Sequence, residues 1–169
     1  MSDALEAWLR GPLPGVPPLL QPIAHALVQA RDEIGGALRG FPDDALDARP
    51  GGVASARFHL RHVAGVLDRL TTYARGEALT DAQLARLDAE ALPGTETTGA
   101  LVDAVGDAVE AALAELRATD PATLTEPRGV GRERVPSTVM GLLVHAAEHT
   151  TRHTGQLLVT AAWVRAAYP

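Results

Sequence analysis

Four long stretches of this chain repeat their apolar residues at the period of an α-helix, and strand-like alternation never persists for more than a few residues. From Leu19 the series runs Leu20, Ile23, Leu27, Ile34 and Leu38, weakens at Gly35, Gly36 and Gly40, and ends before Pro42. A second helix is expected from about Ala54 to Arg75, with Phe58, Leu60, Val63, Val66, Leu67, Leu70 and Tyr73 as its apolar positions. Ser55 is placed to cap it and Gly76 to stop it. Thr95 opens a third, running to about Arg117 with Leu101, Val105, Val109, Ala112 and Leu116 on one stripe. Pro136 and Ser137 open the last, which continues to about Arg165.

The segments between them are rich in breakers. FPDDALDARPGG (41–52) reads as a loop or a short turn of helix, where Asp43, Asp44 and Asp47 form either a carboxylate cluster or a solvated loop. TDAQLARLDAEA (80–91) reads as a short connecting helix capped by Thr80. TDPATLTEPRGVGRER (119–134) reads as a loop with a tight turn at Gly129–Gly131. Long helices without a strand predict an all-α fold, a four-helix bundle. The connection between the second and third long helices spans roughly 20 residues, enough for a crossover in place of a hairpin. Residues 1–18, with Pro12, Pro14, Pro17 and Pro18, read as an N-terminal extension holding a short helix around Leu5–Leu9, and 19–169 as the bundle domain.

Such a bundle must be filled with small side chains, because 46% of the residues are hydrophobic but only 4% are aromatic. The net charge of −6 leaves no basic patch to displace counterions from phosphate, which argues against nucleic acid as a partner. Every basic residue is Arg, so no lysine is available for a Schiff base. With no cysteine there is no disulfide, thiolate nucleophile or sulfur ligand, and any metal must rest on His, Asp or Glu. No basic segment followed by an apolar run opens the chain, and no stretch reaches the roughly 18 apolar residues of a membrane span, so a cytoplasmic protein without a membrane partner is expected.

The histidines carry the chemistry. His145, His149 and His153 stand four apart in HAAEHTTRHTGQ (145–156). A step of four leaves about 40° of drift on a helix, so His149 and His153 share a face, the spacing by which two imidazoles hold one metal. The apolar stripe bracketing them includes Leu142, Ala146, Gln156 and Thr160, which turns the pair into the bundle. A catalytic site has three protein ligands and one open position, so a third must come from another helix. His62 is the best candidate, with His59 three residues before it. The alternative is a hydrogen-bonded core histidine, the stronger reading for His25 and His59, and it stays open for His145. Zn, Ni, Fe, Co and Mn all accept imidazole nitrogen. Glu148 and Arg152 can pair on the surface; Glu148 lies about 100° from the metal face and cannot act as the glutamate of an HExxH motif.

HAAEHTTRHTGQ resembles the signature of the DinB/YfiT-like family, in which the last bundle helix reads H-x-x-x-H-x-G-Q, here His149, His153, Gly155 and Gln156. FHLRHVAGVLDRLTTYARG (58–76) resembles the family's second helix, with His62 in the place of the remaining ligand. One position departs: Thr154 stands where many relatives carry Arg. The resemblance implies a four-helix bundle with a long crossover, commonly a homodimer, and a divalent transition metal on His62, His149 and His153. It also implies a metal-dependent enzyme acting on a small molecule, by S-transfer from a low-molecular-weight thiol such as bacillithiol or mycothiol, or by hydrolysis. The alternative is a non-catalytic, stress-associated bundle with a structural metal. In the enzyme reading, His145, His59 and Gln156 are candidates for substrate binding or for support of the ligands.

Overall fold

The computed structural model of the chain describes residues 5–167. The first four residues of the 1–18 segment and the last two of 19–169 lie outside these. Side-chain caps set most of the helix starts. The long helices are α1 (Gln21–Ala37), α2 (Ala56–Ala74), α4 (Thr98–Ala118) and α5 (Val139–Ala167), with a short α3 (Asp81–Ala89) between α2 and α4. Ser55 Oγ accepts from the Phe58 amide at 3.2 Å, as expected for the start of α2. Thr80 and Gln83 form a reciprocal capping box on α3.

Two expected starts move. The cap of α4 is Thr97 and not Thr95: its hydroxyl accepts from the Ala100 amide, and Asp43 accepts from the Thr98 amide at 2.7 Å. Asp43 is thus a long-range cap rather than part of a metal-like carboxylate cluster, and the Thr98 amide holds its carboxyl below the ordinary value. Pro136 and Ser137 do not open α5. They belong to an antiparallel hairpin of β1 (Pro127–Val130) and β2 (Val135–Thr138), with Pro127 opposite Thr138 and Val130 opposite Val135. The turn falls at residues 131–134, two residues later than expected, with Gly131 and Arg134 at positive φ. Four-residue strands are too short for a periodic signal, and Pro136 reads as a helix start until it is seen opposite Gly129 at a sheet edge.

Ion pairs fix the direction of the helices. Arg57 and Arg61, near the start of α2, both bind Glu96, just ahead of α4, while Arg75 at the end of α2 binds Glu115 near the end of α4. The two helices are therefore parallel, and the chain between them returns along the bundle. That return is the crossover expected from its length, and α3 lies within it. Arg61 also donates to the Ala89 and Leu92 carbonyls, and Gln83 bridges Asp68 and Thr72 of α2, so the crossover is fastened at several points. α2 packs on α4 and α5, and α1 packs on the same two helices. Leu27, Ile34, Leu60, Leu67, Leu113 and Leu157 are almost fully buried between them, a core of aliphatic side chains as the composition requires.

The described residues ahead of α1 include two 3₁₀ turns that pack on it. A 3₁₀ turn at Ala7–Leu9 donates the Ala7 amide to Gln29, and the Gly11 carbonyl lies 2.9 Å from His25 Nε2. No helix among the described residues is long and apolar enough to cross a membrane.

Candidate metal centre

Because α2 and α5 run antiparallel, the histidines of one meet those of the other in reverse order. His62 Nε2 lies 2.8 Å from His149 Nε2, and His59 Nδ1 lies 3.0 Å from His153 Nδ1. One ring nitrogen from each of His62, His149 and His153 falls within 4.8 Å of the others, so this group is able to hold a metal ion. Phe58 stacks on the His62 ring, 5.2 Å between centroids and 13° between planes.

Hydrogen bonding orients the cluster. His62 Nδ1 donates to Glu90 Oε2 at 2.6 Å, and the other carboxylate oxygen accepts from Arg69 at 2.6 Å. With the proton on Nδ1, a neutral His62 presents its Nε2 lone pair to the centre of the cluster. His149 Nδ1 is buried with no hydrogen-bond partner among the described residues. An unsatisfied buried polar atom costs about 1–3 kcal/mol, and the contacts among the imidazoles leave this one unmet. Burial, then the neighbouring His62, pushes His153 and His59 down to about 4; burial likewise lowers His149. At neutral pH these rings are uncharged bases, the form a metal accepts. The donor set therefore fits a divalent transition metal.

The remaining candidates separate. His59 is buried at the edge of the cluster. His145 is about half exposed and lies 3.3 Å from Glu148, whose other oxygen is bound by Arg152. With His149 these two form a second, more exposed group of metal-type donors. Gln156, expected on the inner stripe, is exposed; the buried positions here are Thr150, Thr154 and Leu157. Counting back from Leu157 puts Gln156 about 100° off the inner face. Thr154, the position that departs from the family pattern, is buried and donates its hydroxyl to the Thr150 carbonyl.

Glu90 and Arg69 are residues that sequence reasoning missed. Glu90 lies 28 residues from His62 at the end of a charged connecting helix, and nothing local distinguishes it from the acids around it. Its burial is the only mark: Glu90 is 4% exposed. Burial raises its carboxyl, but the hydrogen bonds from His62 and Arg69 outweigh this and hold it below the ordinary value.

Beside the cluster opens a pocket of about 670 Å³, whose walls include His59, Gly155, Gln156, Val159 and Trp163 of the two helices and Val53 of the loop before α2. Trp163 and Val159 are more than half exposed at its mouth.

The fold and cluster define an all-α, crossover-connected bundle able to bind metal through histidines of its second and last long helices. The chain belongs to the DinB superfamily, whose family model matches residues 26–157, a span that includes all three histidines. No curated protein matches it.

Proposed function

We propose that this chain is a metal-dependent enzyme in which His62, His149 and His153 hold one divalent transition metal (Zn, Ni, Fe or Mn) and a low-molecular-weight thiol is transferred to a small electrophile. The observation that carries this reading is the convergence of three imidazoles from two helices beside an open apolar pocket. Three side-chain donors leave a coordination position for a further ligand, as catalytic sites require. A metal bound there supplies Lewis acidity and favours the thiolate form of a thiol at neutral pH.

The chain's own residues orient and enclose. Glu90 fixes the His62 ring, Phe58 covers one face of it, and His59 lines the pocket while contacting His153 of the cluster. Trp163, Val159 and Val53 offer the electrophile an apolar surface, with Gln156 as a polar contact. The chain has no cysteine, so the nucleophilic sulfur belongs to the second substrate. The test is to load purified protein with each metal in turn and incubate it with several thiols and a dinitrobenzene or bimane electrophile. A metal-dependent conjugate with at least one thiol is expected, with KM for the electrophile raised in Trp163→Ala. Absence of a metal-dependent conjugate with every thiol overturns the reading.

A further inference from the structure

Between the crossover and the histidine cluster runs a buried chain of contacts: Arg69 to Glu90, Glu90 to His62, and His62 to His149. Glu90 is 4% and Arg69 7% exposed. Both side chains lie over Gly65, in the middle of α2. A Cβ built on Gly65 would stand 2.5 Å from Glu90 Oε1 and 2.6 Å from Arg69 Nη1. Side-chain ends usually yield to such a clash, but these are tied to one another and to His62 at 2.6 Å, so yielding means breaking those bonds. Glycine inside a helix is unfavourable relative to alanine. Here its missing side chain is the space the carboxylate occupies.

We infer that Glu90 is the positioning residue of the metal centre: from the crossover, it fixes the proton of His62 on Nδ1 and so presents Nε2 to the metal, with Gly65 keeping its seat open and Arg69 holding its second oxygen. This rests on the metal reading above. The chemistry is that of a carboxylate oriented behind a ligating imidazole, where loss of the outer partner weakens metal binding by about 10–100-fold. Glutamine cannot replace it. Its single carbonyl oxygen serves either His62 or Arg69, and its amide turned toward His62 needs a lone pair on Nδ1, which moves the ring proton to Nε2.

Two readouts test this without activity. The first is Zn²⁺ and Ni²⁺ affinity by competition with a chromogenic chelator. Glu90→Gln is expected to bind about 10–100-fold more weakly than wild type. Gly65→Ala, which retains the carboxylate and adds a better helix former, is expected to weaken binding in the same direction. It also serves as the informative variant if Glu90→Gln does not fold. The second is the His62 tautomer, from ¹⁵N shifts of the metal-free protein at mildly alkaline pH: Nδ1–H in wild type, shifting toward Nε2–H in Glu90→Gln. Wild-type affinity in both variants, or an unchanged His62 tautomer in Glu90→Gln, overturns the inference. If the wild-type chain binds neither metal, the metal reading fails, and the tautomer alone then decides whether Glu90 orients His62.

Discussion

At the scale of single residues, the cluster is tuned against protonation. His59 and His153 are held at about 4 by burial and by His62 beside them, against 6.5 for a free imidazole. Between those two values the unfolded chain takes up protons that the folded metal-free chain refuses. Their contribution to stability is therefore complete above about pH 6.5 and is lost as pH falls toward about 4. Thermal melts of metal-free protein should show Tm dropping across that window, and a flat profile there contradicts the buried, neutral cluster. Substituting His149 and His153 together by Ala is expected to abolish tight metal binding, measured as metal per chain after loading; unchanged stoichiometry would remove the assignment. That His149 and His153 share a face was legible from their spacing, because helix geometry converts four residues into one shared face. Glu90 was not, because its role depends on a meeting between segments that no local pattern announces.

At the scale of elements, capping chemistry decided how well boundaries could be read. Ser55 and Thr80 cap where the sequence expects them, since each is the only capping hydroxyl immediately ahead of its apolar series. The segment before α4 offers Thr95, Thr97 and Thr98 together, and what selects Thr97 is distant: Asp43 binds the next amide from another loop. The hairpin of β1 and β2 escaped notice because each strand is four residues long and β2 contains a proline. α3 is short enough to depend on its caps and on Gln83, which serves both the capping box and the bridge to α2. Thr80→Ala should cost about 1 kcal/mol, measured by denaturant unfolding. The same variant loosens the segment that delivers Glu90. A cost near zero would mean that α3 is held by its docking contacts alone.

For the whole molecule, composition and periodicity carried the architecture: an aromatic-poor chain with long apolar stripes has helix-on-helix packing as its economical solution. The parallel course of α2 and α4 was foreshadowed only by the length of their connection and is shown by ion pairs at both ends. Binding to the folded state alone raises stability by about 2.7 kcal/mol when free metal is about 100 times Kd. Calorimetric scans should therefore show Tm rising with added Zn²⁺ and falling again on chelation, while the His149→Ala, His153→Ala double variant should not respond. The meeting of His62 with His149 gives that stabilisation a further character. The two residues are 87 apart in sequence. A metal spanning them closes that loop as a covalent bridge would, and a cross-link of this length restrains an unfolded chain by on the order of 4–5 kcal/mol in the chain-entropy description. In a protein without cysteine, a metal bound there would be the reversible counterpart of a disulfide, a staple joining the second long helix to α5 and fastened only once both have been made.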